Sequence, residues 1–292
     1  MGYYLGIDIG GTNLRCAVIS KNGSIKEVFK TTNEPGKGAE YNLDKIIQKV
    51  KEEWTGYSLE KAGVGCPGPL DLKQGIILNP VNLKGWGNFN IKKYLEEKLH
   101  VPVYVNNDAN VAGLAEATVG CAKEAESVFY ITISTGVGGG LILDKKIING
   151  AHSQCAEIYN MIINEDDYVQ PGLNKGSLEG QCSGVNIARI ASRAKNKELS
   201  TKEVFDLYNS KDSEIIDIIE KWVDNIAIGI ADIIAVVDPE VIVLGGAVPI
   251  NNKFLVPMIS KKVKEKVADP NMVDIRLAEL GDDAGLIGAA ML

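Results

Sequence analysis

Apolar and polar positions alternate from the first residues. In "YLGIDIGG" Leu5, Ile7 and Ile9 alternate with Gly6 and Asp8, so a strand buries one face and delivers Asp8 near its end on the other. Gly10 and Gly11 open a tight turn. "LRCAVIS" reads as a second strand, residues 21–23 as a hairpin turn, and "SIKEVFK" as a third strand returning antiparallel. From Asn42, read as an N-cap, the residues Leu43, Ile46, Ile47, Val50 and Trp54 fall on one helical face. "AGVGCPGPLD" supplies a short strand and a rigid turn. A helix is expected over residues 90–99, a strand at "VPVYVNN", and a small-residue helix from Asp108 to Thr118.

The pattern then starts again. "SVFYITISTGVGGGLILDKKII" reads as strand, glycine turn, strand, polar turn and strand, an echo of residues 3–30 that suggests a duplicated fold. Residues 215–237 form a long helix whose apolar face includes Ile219, Trp222, Val223, Ile226, Ile230, Ile233, Ile234 and Val237, closed by Asp238-Pro239. "VIVLGGAV" follows as a buried strand ending in glycines. No flexible linker separates the halves, so the expected boundary falls between Asn107 and Asp108. This gives an N-terminal lobe over 1–107 and a C-terminal lobe over 108–292, with a last helix at 282–292 packing back on the first lobe. A cleft between two similar lobes is the expected outcome.

Composition narrows the classes. An apolar content of 45% in 292 residues supports a sizeable core. A net charge of −7 leaves no broad basic surface to meet a phosphate backbone, which argues against nucleic acid as a partner. Five scattered cysteines, Cys16, Cys66, Cys121, Cys155 and Cys182, include no C-x-x-C pair and fit reduced thiols in a cytoplasm. The start "MGYYLGIDIGG" lacks a basic region, an apolar segment and a cleavage site, and the most apolar stretch, 215–237, is broken by charges. Neither secretion nor a membrane span is expected.

Three glycine turns follow three apolar strands: "DIGGT" (8–12), "STGVGGG" (134–140) and "LGGAV" (244–248). Glycine lets the backbone approach an anion and present N–H groups, and Thr12, Ser134 and Thr135 add hydroxyl donors. One such turn alone is more often a plain hairpin; three at strand ends, one beside an acid, could cradle a nucleotide. The common nucleotide patterns are missing: no G-x-x-x-x-G-K-[ST] occurs, and "GVGGGL" breaks G-x-G-x-x-G at Leu141.

"DIGGT", "GCPGPLD", "NPVNLKGW", "NNDAN", "TISTGVGGGLI", "VIVLGG" and "DDAGLIGAA" appear nearly end to end in one order. In that order they resemble the ROK (repressor, open reading frame, kinase) family of sugar kinases. The resemblance implies an α/β fold of the two-lobed actin-like ATPase (ribonuclease H-like) kind, with a duplicated mixed sheet and an inter-lobe cleft. It implies that Asp8, Gly10, Gly11 and Thr12 hold the phosphate end of Mg-ATP, that Thr135 and Gly136 contact the phosphates, and that Gly245 and Gly246 pack near the adenosine. Asp108 matches the catalytic base, which takes the proton of the attacking sugar hydroxyl; alone, it reads equally as a helix cap. Gly68, Asn82 and Asn107 match sugar contacts, and each alone could be a turn residue. Glu157 and Glu179 match two glutamates that accept from sugar hydroxyls, where two carboxylates give a polyol several charge-assisted bonds.

The departure lies in "CAEIYN". The family pattern is Glu-Ile-Gly-His, with the His touching the sugar and joining three cysteines on a structural zinc. Here Asn160 stands at the His, and Gln170, Gly172 and Ser177 stand at the cysteines. His152, Cys155 and Cys182 rebuild no recognisable ligand spacing, so no structural zinc is expected. Asn160 can still hydrogen-bond a sugar, but it is uncharged, shorter than His and beside Tyr159. The resulting expectation is an ATP- and Mg²⁺-dependent hexose kinase, glucokinase-like at O6 from "NLKGW", with N-acetylmannosamine, fructose, allose or β-glucoside as alternative acceptors. A sugar-sensing repressor is disfavoured, because such relatives carry a helix-turn-helix ahead of the first glycine turn and seven residues precede Asp8. A regulator that has lost turnover is the remaining alternative. A homo-oligomer, dimer or tetramer, is implied by resemblance only.

Overall fold

Period-two alternation and a tight glycine turn make the first segments a meander: β1 (Gly2–Ile9), β2 (Asn13–Ser20) and β3 (Ile25–Thr32). They lead to α1 (Ala39–Glu52) and β4 (Ser58–Cys66), then to three two-residue strands, β5 (Leu70–Asp71), β6 (Ile76–Ile77) and β7 (Phe89–Asn90). Next come α2 (Ile91–Leu99), β8 (Val103–Asn107), α3 (Asp108–Thr118), β9 (Ser127–Ile133), β10 (Val137–Leu143) and β11 (Lys146–Ile147). The remainder comprises α4 (Leu178–Cys182), α5 (Gly184–Lys195), α6 (Thr201–Asn209), α7 (Ser213–Val237), β12 (Val241–Gly245), α8 (Ala247–Asn251), α9 (Leu255–Lys264), β13 (Ile275–Leu277) and α10 (Ala284–Met291). This is a computed structural model that describes residues 2–80 and 83–292.

The chain divides into two compact units. The first is Met1–Lys123 with Lys145–Cys155 and Asp282–Leu292; the second is Glu124–Asp144 with Ala156–Gly281. The division therefore differs from the 107/108 boundary, because α3 stays with the first unit, packed against α10. In the first unit the sheet runs β3-β2-β1-β4-β8. Its first three strands are antiparallel, and β1, β4 and β8 are mutually parallel neighbours. The second unit orders β10-β9-β12-β13, with an antiparallel hairpin and then two parallel neighbours. That is the succession β2-β1-β4-β8 over again, and it accounts for the repeated strand–glycine turn–strand pattern.

Helix ends follow side-chain chemistry. Asn90 caps α2 by accepting from Lys93 N–H, and Asp212 caps α7 by accepting from Ile215 N–H. Asn42 does not cap α1, which starts at Ala39 after Gly38. Its buried amide instead accepts from Glu34 N–H and donates to the carbonyls of Glu34 and Gly38. His100, with φ of 57°, is the left-handed residue that ends α2, and Asp238 ends α7 in the same conformation. Among the described residues no helix is long and apolar enough to cross a membrane.

The first unit's core gathers Leu5, Ile7, Ile9, Leu14, Leu43, Ile46 and Trp86, all at most 1% exposed. On its sheet sits α10, held at backbone distance. A Cβ on Gly6 would lie 2.1 Å from the Leu286 carbonyl oxygen, one on Gly63 1.7 Å from that of Ala289, and one on Gly288 1.7 Å from that of Val111 in α3. Only glycine permits these approaches, which trade side-chain volume for close contact of strand, helix and helix. Gly288→Ala is expected to lower the unfolding free energy by roughly 3 kcal/mol in denaturant titration, because it forces backbone apart from backbone. A loss below about 0.5 kcal/mol would mean that α10 can lift freely.

Candidate active site

Parallel strands of an open sheet place their carboxyl ends along one edge, where ligands are held in α/β folds. In the first unit that edge carries Asp8 near the end of β1, Cys66 at the end of β4 and Asn107 at the end of β8, with the register pairing Asp8 with Gly65 and Cys66 with Asn107. Arg15, opposite Asp8 on β2, donates from Nε at 3.0 Å and from Nη2, both to Asp8 Oδ2. This fixes the carboxylate with Oδ1 turned away from the guanidinium. Gly285 at the start of α10 packs on the same carboxylate, where a Cβ would lie 3.0 Å from Cγ. The turn after β1 is closed by Gly10 N–H on the Asn13 carbonyl at 2.9 Å and tied down by Asn33, whose Nδ2 donates to the Gly10 carbonyl at 2.6 Å. Thr12 is exposed on it.

Asn107, not Asp108, caps α3: its Oδ1 accepts from Ala109 N–H at 2.9 Å. That leaves Asn107 Nδ2 as a donor beside Gly68, where a Cβ would come 3.7 Å from that nitrogen. Asp108 is the first helical residue. Its Oδ1 also accepts from Ala109 N–H, at 2.8 Å, and its side chain reaches solvent. The protein crowded around it withdraws enough water to raise its pKa above the usual aspartate range, and the negative charge of Asp8 adds to the rise against the opposing Ala109 N–H. The buried Cys66 thiol is pushed up by desolvation and then by the charges of Asp108 and Asp8. Asn82 lies outside the described residues.

In the second unit Gly245 on β12 pairs with Thr132 on β9, so Ser134–Thr135 and Gly245–Gly246 again follow parallel strand ends. The glycines at 245 and 246 are required by packing. A Cβ on Gly245 would meet the Tyr130 hydroxyl at 2.2 Å, and Gly246 has φ of 86°. The adjoining Ala247 and Val248, with Ser134, Thr135, Val185 and Phe205, line a cavity of 530 Å³. Gly184 N–H at the start of α5 donates to the Ser134 carbonyl at 2.7 Å, and Thr201 Oγ1 donates to the Gly184 carbonyl at 2.7 Å. Sequence reasoning missed Arg15, Asn33, Val185, Thr201 and Phe205. The two polar anchors act across turns, and the cavity residues sit on ordinary amphipathic helices far along the chain from Ser134.

Glu179, the second residue of α4, lies against the glycine turn: its Oε2 accepts from Val137 N–H at 2.9 Å, and a Cβ on Gly136 would meet that oxygen at 2.6 Å. Glu157 is half-buried and precedes a short 3-10 turn, Ile158–Asn160. Asn160 Oδ1 accepts from Asn174 N–H at 2.7 Å, and Ser177 Oγ accepts from Gly180 N–H at 3.2 Å. These engagements do not fit a zinc site, since amide and hydroxyl oxygens already bound to N–H groups offer neither thiolate nor imidazole. Among the described residues no three His, Cys, Asp or Glu side chains gather in a way that could hold a metal ion.

The chain belongs to the ROK family, whose sequence model matches residues 4–292. It is 30% identical to a glucokinase of Halalkalibacterium halodurans over 99% of this chain and 94% of that protein. A ROK hexokinase from Thermus thermophilus superposes with a TM-score of 0.88 at 31% identity, covering 99% of this chain and 97% of the other. A ROK family glucokinase from Streptomyces griseus, solved in complex with glucose and AMPPNP, gives a TM-score of 0.79 at 27% identity over 99% and 98%. The fold is that of the ROK kinases within the actin-like ATPase class.

The Asp8–Asp108 coupling is directly measurable. By carboxyl carbon NMR, Asp108 is expected to titrate above the roughly 3.9 of an unperturbed aspartate, and Asp8→Asn to bring it down without reaching that value. No downward change on Asp8→Asn would separate the two carboxylates.

Proposed function

We propose that this protein is an ATP-dependent hexose kinase with glucose O6 as its leading acceptor. The observation that carries the reading is the strand-end edge of the first unit, where Asp108 stands at the start of α3 with Oδ1 accepting from Ala109 N–H and Asp8 is held by Arg15. A hydroxyl placed against Asp108 Oδ2 would be oriented and would lose its proton there as the γ-phosphoryl is transferred. General-base assistance of this kind is worth roughly 10² to 10⁴ in rate. Asn107, with its oxygen committed to the helix cap, would offer Nδ2 as a donor to a sugar oxygen, and Gly68 keeps the space beside it open.

The remaining roles follow the family resemblance residue by residue. Glu157 and Glu179 accept from sugar hydroxyls, and Asn160, its oxygen held by Asn174 N–H, has Nδ2 left to donate. Asn82 keeps its assignment as a sugar contact by resemblance alone. The turn Gly10, Gly11 and Thr12 presents N–H and hydroxyl donors to the phosphates, joined by Thr135 and Gly136. Asp8, through Oδ1, is the residue that would hold Mg²⁺, which supplies charge neutralisation at the phosphates. The 530 Å³ cavity is of the size class that takes small ligands, and we assign it to the adenosine, with Gly245 and Gly246 shaping its wall through Ala247 and Val248.

An ATP-consumption assay over hexoses and amino sugars tests this reading, with glucose expected to support turnover and a panel without any active sugar overturning it. Asp108→Asn is expected to cut kcat by roughly 10² to 10⁴. It should leave stability equal or higher. A raised carboxyl pKa favours the folded state below the unfolded value, and that contribution is lost as pH rises through the folded value; Asn never ionises. Retention of most activity would remove Asp108 as base. Val185→Trp, on an exposed position lining the cavity, is expected to raise KM for ATP about tenfold, with KM for the sugar nearly unchanged. Equal changes in both would place the adenosine elsewhere.

A further inference from the structure

Glu179 is not held by its own helix alone. A directed chain of hydrogen bonds reaches it from the loop preceding α4. Arg189, which can only donate, gives its Nε–H to Asn186 Oδ1 at 3.0 Å, and its guanidinium carbon lies 3.4 Å over the centre of the Tyr168 ring. Asn186, 1% exposed, is thereby fixed with Nδ2 on its other side. That nitrogen faces the Glu179 carbonyl at 2.9 Å, Ser183 Oγ at 2.8 Å and Gln170 Oε1 at 2.7 Å. Because Asn186 presents a donor, Gln170 must turn its oxygen to it and its amide N–H₂ the other way, where Nε2 donates to Glu179 Oε1 at 3.0 Å. The second carboxylate oxygen, Oε2, takes Val137 N–H from the glycine turn.

We infer that Gln170 is a positioning residue for the acceptor site: it aims the Glu179 carboxylate, and the Arg189–Asn186 chain fixes which way Gln170 points. This rests on the reading of Glu179 as a sugar ligand. An ionised carboxylate can accept about four hydrogen bonds. Here the protein supplies one donor to each oxygen, which stops the carboxylate rotating and leaves the remaining lone pairs in fixed directions for sugar hydroxyls. Bonds that are already formed before the sugar arrives reduce the ordering cost of binding it. The donor comes from a neutral amide, so it orients Glu179 without neutralising it, as a Lys or Arg at the same place would do.

Gln170→Met keeps length and volume while removing donor and acceptor, and Asn186 Nδ2 retains two acceptors. The expected result is a rise of about tenfold in KM for the hexose, with kcat and KM for ATP within about threefold and the melting temperature nearly unchanged. Gln170→Glu turns an acceptor toward the carboxylate and is expected to raise the sugar KM further; a sugar KM at the wild-type value in this variant would overturn the proposal. An unchanged sugar KM in Gln170→Met would overturn it. A parallel loss in kcat, both KM values and melting temperature would overturn it too, by reducing Gln170 to a brace for the fold. Amide exchange at Val137, followed by NMR without any substrate, is expected to quicken about tenfold in Gln170→Met as the carboxylate that accepts its N–H loosens; unchanged protection there would also overturn the proposal. A wild-type enzyme inactive on every sugar would sink the kinase reading, while the exchange measurement would still decide what Gln170 does.

Discussion

Backbone-to-backbone packing of α10 is the constraint on which the first unit depends. A helix normally rests on a sheet through side chains at about 10 Å, and here glycines at 6, 63 and 288 let it come in close to β1, β4 and α3 together. β1, α3 and β8, the strand beside β4, carry the residues proposed for chemistry: Asp8 near the end of β1, Asn107 at the end of β8, and Asp108 at the start of α3. With α10 wedged among them, the backbones that bear Asp8 and Asp108 are held by main-chain packing. Gly285 extends the same device to the Asp8 carboxylate itself. Desolvation by the surrounding protein leads the raised pKa of Asp108, with the Asp8 charge adding to it, and the hairpin register sets Arg15 against Asp8, spending one carboxylate oxygen on a cation and leaving the other.

The second unit solves a different problem. Its loop before α4 has neither thiolates nor imidazoles at the positions where the family resemblance places metal ligands, and polar side chains take up the load instead. Asn160 holds Asn174 N–H, Tyr168 stacks on Arg189, and Gln170 links Asn186 to Glu179. Each link is a hydrogen bond or ring contact of modest strength, about 1 kcal/mol net for a neutral pair. Together they fix directions, the Glu179 carboxylate among them.

Much of this was legible in the sequence, for physical reasons. Alternation in "YLGIDIGG" and its echo in "SVFYITI" are strong period-two signals, and the two sheets repeat one strand order as the echo implied. The helix Asp108–Thr118 falls where the small-residue run placed it. Asn42 misled because its amide is a good cap by type, yet it is buried and closes the preceding turn, a tertiary choice invisible to local reading. The boundary at 107/108 failed for a similar reason: what assigns α3 to the first unit is α10, far away in the chain. Arg15 and Asn33 were unreadable as site residues because their work is done across a hairpin and a turn. Val185, Thr201 and Phe205 look like any helical positions until α5 and α6 are placed beside Ser134.

The location of α10 also bears on synthesis. Met1–Lys123 leaves the ribosome long before Asp282–Leu292 exists, and without α10 the sheet's glycine-lined face and α3 have nothing to close on. Domains usually form in order of emergence. Here the second unit has its continuous stretch Ala156–Gly281 in hand before the first can be completed. The segment bearing Asp8 and Asp108 thus waits for α10, and the strand-end edge is completed after the continuous stretch of the second unit has been made.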